Sequence, residues 1–285
     1  MTYPSTKHIA VICNPTAENE KALKAANIVS KLLKKKAISH SIYIEQWPTD
    51  LNNITDAWIF GGDGTLFHFI NQYPDVQIPL SCFKAGSGND FHWALYGDVG
   101  HEEQAEQMLS GRIKKIDAGM CNGKLFLNGV GIGFDGAIVK DLLGKKKVAG
   151  KASYLVTILK NVFGYKEKFV TIELPEKGIS QECFMISIAN GKRYGGGFNV
   201  APKASLTDGL LDINIVGNIP PLKRMRYIPV IERGEHLDLP FVQYYQKEKV
   251  IIKSLHQLPA HFDGEYFEGH RFEITVVPNK FAFSV

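Results

Sequence analysis

Apolar and polar positions along the chain change rhythm once, near residue 112. Before that point short apolar runs alternate with helical patterns. His8 to Cys13 is an almost unbroken apolar run, which reads as a strand buried on both faces. Residues 17–36 carry Ala22, Ala26, Val29 and Leu33 at spacings of four, three and four, one face of an amphipathic helix. Lys34, Lys35 and Lys36 suit its end, where the helix dipole favours positive charge. Ser41 to Ile44 and Ala57 to Phe60 read as strands, the second running directly into Gly61. Leu66 to Tyr73 reads as a helix, Ile78 to Phe83 as a strand, and 102–110 as a helix stopping at Gly111. This alternation predicts an α/β domain whose doubly wound, mostly parallel sheet is covered on both faces.

After residue 112 strands dominate, at 125–130, 168–174, 182–189, 210–216, 249–253, 258–262, 271–277 and 280–284. Several alternate apolar and polar residues, as Phe272-Glu273-Ile274-Thr275-Val276 does. That pattern predicts an antiparallel β-sandwich or barrel. Two helical segments interrupt it, one over about 148–163 with Leu155, Ile158, Leu159 and Val162 on one face, the other near 222–232. The change of rhythm places the domains at 1–118 and 119–278.

The composition, 45% hydrophobic and 22% charged over 285 residues, allows a packed core and excludes a disordered chain. The net charge of +4 comes largely from Lys145, Lys146, Lys147 and Lys151 and from Lys223, Arg224 and Arg226. Such clusters are either solvated surface or places where a phosphate-bearing ligand or anionic membrane is met. The stretch 140–168, basic with an apolar helical face, is either a core helix with solvated lysines or a membrane-touching surface. Cys13, Cys82, Cys121 and Cys183 are scattered without zinc or Cys-x-x-Cys spacing, so they read as reduced and mostly buried. Residues Met1 to His8 are polar, and no run approaches the roughly 20 apolar residues that span a bilayer. The expected setting is cytoplasmic, and if the ligand is a lipid it is met by transient, peripheral membrane contact. No nucleic-acid partner is expected, and self-association is left open.

The sharpest chemical feature is Gly61-Gly62-Asp63-Gly64-Thr65-Leu66, at the junction of a strand and a helix. Glycines there let backbone approach a phosphate or adopt positive φ, and the helix start offers free N–H groups. On this reading Thr65 caps the helix and Asp63 orients a Mg²⁺-bound phosphate or a ribose hydroxyl. The plainer alternative is a tight turn. Gly86-Ser87-Gly88-Asn89-Asp90-Phe91 follows another strand and Asn14-Pro15-Thr16 follows the first. In a parallel sheet all three lie at the carboxyl edge, where open α/β sheets bind ligands. Asp263-Gly264 is a tight-turn dipeptide that places Glu265 where a hairpin turn joins a strand. A carboxylate there could take the proton of an attacking hydroxyl, or simply be a solvated hairpin tip. Asp208 in Thr207-Asp208-Gly209 is either a turn residue or a hard-cation ligand.

These motifs, with Gly129-Val130-Gly131-Ile132-Gly133-Phe134-Asp135, Gly195-Gly196-Gly197 through Val200-Ala201-Pro202, and Ser205-Leu206-Thr207-Asp208-Gly209-Leu210-Leu211-Asp212, occur in the order of the diacylglycerol kinase catalytic family. Over nearly its whole length the chain resembles the bacterial soluble lipid kinases of that family, related to sphingosine and ceramide kinases. The resemblance implies a nucleotide-binding α/β domain and a β-sandwich carrying the Asp-Gly-Glu motif, with the active site in the cleft and residues about 279–285 returning to the first domain. It implies ATP contacts at Asn14, Pro15, Thr16, Gly61, Gly62, Asp63, Gly64, Thr65, Leu66, Ser87, Gly88 and Asn89. It implies Glu265 as general base, Asp63 as a second catalytic group, and a Mg²⁺ site at Asp208 with backbone oxygens of Ser205 and Leu210.

The chain departs from the family pattern at several points. Phe67 and His68 replace the usual Asn and Glu, and Ala17 and Glu18 replace Ser and Gly. The expected Thr has no counterpart around Ile44, Glu45 and Gln46, and the short stretch from Glu45 to Gly61 implies a truncated helix. Two other readings remain. An enzyme like NAD kinase shares the Gly-Gly-Asp-Gly-Thr turn. An inactive relative would bind nucleotide or lipid as a regulatory module.

Overall fold

The computed structural model describes residues 7–14, 20–143 and 151–285, with side chains from 155 onward in the last segment. Pro15, Thr16, Ala17, Glu18 and Lys145 to Lys147 lie outside the described residues. The chain divides into two compact units, Met1–Ile116 with Asn279–Val285, and Asp117–Pro278.

The first unit runs β1 (His8–Cys13), α1 (Lys21–Lys35), β2 (Ser39–Tyr43), β3 (Asp56–Gly61), α2 (Asp63–Gln72), β4 (Leu80–Lys84), α3 (Asp90–Tyr96), α4 (His101–Leu109) and the start of β5 (Ile113–Cys121). Its sheet is parallel, in the order β2-β1-β3-β4, with the chain's last strand beside β4 through Phe283 and Leu80. The strands are apolar at successive positions because both faces are covered. Ile9, Val11, Trp58 and Phe60 pack under Ala22, Ala26, Val29 and Leu33 of α1 and Ala105 and Met108 of α4. Ala10, Ile12 and Ile59 on the other face are buried as well. Residues 44–55 hold no helix, matching the shortness of that stretch in the sequence.

The second unit continues with β6 (Lys124–Phe126), β7 (Gly129–Gly133), α5 (Phe134–Leu142), α6 (Lys151–Asn161), β8 (Lys168–Leu174), β9 (Lys177–Cys183), β10 (Met185–Ala189), β11 (Leu211–Val216), α7 (Pro221–Arg233), β12 (Val242–Lys247), β13 (Lys249–Phe262) and β14 (Glu265–Ser284). Its strands pair antiparallel in the order β12-β11-β10-β7-β13-β14. The runs 249–253 and 258–262, expected as two strands, are one strand with an irregularity between Lys253 and Leu258. Its first half also pairs with β8 and its second with β7. The runs 271–277 and 280–284 are likewise parts of β14. Val130, Ile132, Ile186, Ile188, Ile213 and Phe272 form the sandwich core.

One further expectation holds and another changes. All four cysteines are free and buried, as read, and burial pushes the Cys13 and Cys121 thiols up to about 12. Arg224, grouped with surface charge in the sequence, is buried. Its guanidinium donates to the Ile219, Val162 and Tyr165 carbonyls and meets Glu167 at 2.6 Å. No described helix is long and apolar enough to cross a membrane.

Candidate active site

In the first unit the chain ends of β3 and β4 carry the two glycine turns, and these turns pack on one another. A Cβ on Gly62 would stand 2.5 Å from the Gly88 carbonyl oxygen, and one on Gly86 would stand 2.7 Å from the Gly62 nitrogen. Both obstacles are backbone, so neither position accepts a side chain without displacing a turn. None of Gly61, Gly62 and Gly64 has a positive φ. Close approach, not the left-handed region suggested by the sequence, is what requires glycine here.

The pairing is fastened by Asp63. Its N–H donates to the Gly88 carbonyl at 3.2 Å, while its carboxylate accepts the Asp90 and Phe91 N–H groups, each at 3.0 Å. Those donors open α3, so Asp63 caps the neighbouring helix across 27 residues of sequence. These bonds give Asp63 a structural task beside the catalytic one expected of it. Each of its oxygens takes one backbone donor.

Helix α2 begins at Asp63 with Gly62 as its cap residue, not at Leu66. Thr65 is therefore the third helical residue rather than the cap. Its buried hydroxyl accepts from Asn14 Nδ2 at 3.3 Å, tying the end of β1 to α2. Leu66 is buried and its N–H donates to the Gly62 carbonyl. The Gly64 and Thr65 N–H groups have no hydrogen-bond partner among the described residues. They are the donors that a helix start leaves for an anion. Asn89 closes its own loop, accepting from Gly86 N at 3.0 Å and donating to Gly86 O at 2.6 Å. Ser87 is half-buried between these anchors. Of the two departures after the glycine turn, Phe67 is buried in the unit and His68 is exposed. Trp47, past the end of β2, donates its indole N–H to the Cys13 carbonyl at 3.3 Å.

In the second unit, Asp263 and Gly264 have φ of 50° and 88°, the left-handed pair of a two-residue hairpin turn. Glu265 starts β14 opposite Phe262 and is half-buried. The tip is not solvated as a whole. The Asp263 carboxylate is buried and accepts the N–H groups of Leu127 (2.7 Å), Asn128 (2.9 Å) and Gly129 (2.9 Å). Its own N–H returns to the Gly129 carbonyl at 3.0 Å. The sequence reading treated Asp263 only as a turn former. Its clamp on a loop some 135 residues earlier had no local signal.

Asp208 is exposed, and its Oδ1 accepts the Leu210 N–H at 3.1 Å. The loop is seated by buried Asp117, which donates its N–H to the Leu206 carbonyl and accepts from Gly209 N at 2.8 Å. Among the described residues no group of three or more His, Cys, Asp or Glu could hold a metal ion. The expected set at Ser205, Asp208 and Leu210 is one carboxylate and two carbonyls, all hard oxygens, which suits Mg²⁺ chemically.

A cavity of about 60 Å³ in the second unit lies against α5, α6 and α7. Phe134, Ile138, Ile158, Val162, Phe184 and Ile228 are among its walls. Arg224 also borders it, with the guanidinium 4.6 Å from the Phe184 ring, but its charge is met by Glu167.

Residues 8–121 match the model of the diacylglycerol kinase catalytic domain, and residues 128–284 match that of the YegS C-terminal NAD kinase beta sandwich-like domain. The protein of Chromohalobacter salexigens named "Probable lipid kinase YegS-like" is 27% identical over 229 residues, covering 76% of this chain and 72% of that one. The "Diacylglycerol kinase" of Bacillus subtilis is 27% identical over 212 residues, covering 72% and 69%. A crystal structure of a diacylglycerol kinase from Bacillus anthracis superposes with a TM-score of 0.74 over 97% of this chain and 96% of that one. At 22% identity that likeness concerns the fold. With a catalytic domain of the first kind followed by a sandwich of the second, this chain belongs to the diacylglycerol kinase family in its YegS-like, two-domain form.

Proposed function

We propose that this kinase transfers the γ-phosphoryl group of Mg-ATP to a hydroxyl of a lipid. The observation that carries the choice of acceptor is the apolar cavity of the second unit. An acyl chain gains about 0.8 kcal/mol for each CH₂ it buries against such walls. The ribose and phosphates of a nicotinamide nucleotide would find few partners there, which favours a lipid over the NAD-kinase-like reading.

On this reading the Gly64 and Thr65 N–H groups receive the triphosphate, and the interlocked turns keep side chains out of its way. Asp63 holds those turns together. Mg²⁺, when bound with ATP, would neutralise charge on the phosphate oxygens, and Asp208 with the Ser205 and Leu210 carbonyls would hold a cation of that kind. Glu265 accepts the hydroxyl proton as the lipid oxygen forms its bond to phosphorus and the bond to ADP breaks. The clamped Asp263-Gly264 turn supports that role, because a base on a fixed turn needs no reorganisation to act.

The test is incubation of the purified chain with labelled Mg-ATP, a panel of diacylglycerol, sphingoid, phosphatidylglycerol and polyprenol acceptors, and NAD. Label in a lipid is expected, together with its loss in Glu265→Ala. Label in NADP would replace the lipid reading. ATP binding with transfer to nothing would make the chain a regulatory relative.

A further inference from the structure

The run Gly129-Val130-Gly131-Ile132-Gly133 of β7 leads into Asp135, which borders the apolar cavity. Gly131 faces His261 of β13 in the strand register. A Cβ on Gly131 would stand 2.5 Å from His261 Nε2 and would collide with the Asp135 carboxylate. The missing side chain is what lets these two groups meet. His261 is 2% exposed and Asp135 5% exposed, and Nε2 lies 3.2 Å from Oδ2. Tyr194 stands edge-on to the imidazole at 5.2 Å.

The other imidazole nitrogen faces the turn before Glu265. His261 Nδ1 accepts the Gly264 N–H at 3.3 Å. An accepting Nδ1 keeps its lone pair, so the ring proton sits on Nε2, the atom that approaches Asp135. A carboxylate, an imidazole and a backbone N–H thus follow one another to the residue before Glu265. Burying a carboxylate beside an imidazole costs desolvation that an apolar pair of the same volume would avoid. Packing alone therefore gives no reason for this pair. Asp263 grips the turn on one side, and His261 is the side-chain partner of its other central residue.

We infer that His261 is a positioning residue for Glu265: it holds Gly264 so that the Glu265 carboxylate keeps its direction, with the Asp135 carboxylate as a close electrostatic neighbour of its Nε2. This rests on the reading of Glu265 as the base. A base displaced by about an ångström loses on the order of 100-fold in rate while substrates still bind.

The experiment compares His261→Asn with His261→Gln in the full chain. The amide oxygen of the shorter Asn falls where Nδ1 was, whereas Gln reaches past it toward the Nε2 position. His261→Gln should lower kcat by roughly 10- to 100-fold with KM for ATP and lipid changed less than about twofold. His261→Asn should recover most of that loss. Hydrogen exchange of the Gly264 N–H should quicken at least about tenfold in His261→Gln and return toward wild type in His261→Asn. Equal kcat in the two variants, or unchanged Gly264 exchange in His261→Gln, overturns the inference. An active Glu265→Gln variant would instead remove the base assignment and leave the exchange result standing, so the two failures are separable. Because neither substitution empties the site as alanine would, both variants are chosen to remain folded, which a melting curve checks.

Discussion

The clamp at Asp263 makes a quantitative prediction. Asp263→Asn keeps the size of the side chain and its tolerance of the left-handed φ of 50°. It changes only the charge and one of the two acceptor atoms. The remaining oxygen can still serve the Asn128 and Gly129 N–H groups that share Oδ1. The new NH₂ then faces the Leu127 N–H, which Oδ2 accepts at 2.7 Å in the native chain. One charge-assisted bond is lost, about 1.5–3 kcal/mol, and one buried donor is left facing another donor, about 1–3 kcal/mol. The sum is about 3–5 kcal/mol, since neighbouring losses overlap. For a unit of this size that lowers the melting temperature by about 6–20 °C. Urea and thermal unfolding followed by circular dichroism measure it. Trp47, Trp58 and Trp93, the three tryptophans of the chain, all lie in the first unit, so their fluorescence serves as an internal reference. A loss below about 1 kcal/mol would refute the clamp, because one unsatisfied buried donor alone costs that much.

Two further outcomes follow from the geometry. Gly62→Ala drives a Cβ to 2.5 Å from the Gly88 carbonyl, so it should cost about 1–3 kcal/mol of stability and at least about tenfold in phosphoryl transfer; wild-type turnover in that variant would show that the turns have slack. Burial lowers the pKa of His92 and of His236 below the ordinary 6.5, against the opposing hydrogen bonds to the Cys82 and Val200 carbonyls. The unfolded chain then takes up these protons first, so the stability they carry is complete above 6.5 and is lost as pH falls through their folded values. Imidazole resonances of both residues in NMR should still report the neutral form below 6.5, and titration at the ordinary value would refute the assignment.

Residue pattern alone determined much of this protein. Continuous apolar runs such as His8 to Cys13 marked strands buried on both faces, and Phe272 to Val276 marked one buried on a single face. Local chemistry also located the turns, because Gly61-Gly62-Asp63-Gly64 and Asp263-Gly264 are sequences that few other conformations would use. Short or irregular elements were not legible. Helix α3 has seven residues, α5 carries Gly136 where a Cβ would strike the backbone of β13, and β12 is half-buried throughout without alternation.

What the turns are for was decided only in the folded chain. Gly62 must be glycine because Gly88 lies against it, Asp63 because Asp90 and Phe91 offer their N–H groups, and Asp263 because a loop 134 to 136 residues earlier needs its carboxylate. Arg224, one of a basic cluster in the sequence, became a buried partner of Glu167 for the same reason. Propensity and periodicity act over a few residues, so a chain can announce its strands and turns by itself. The partners that give a side chain its task are brought together by long-range packing, and no local pattern records them.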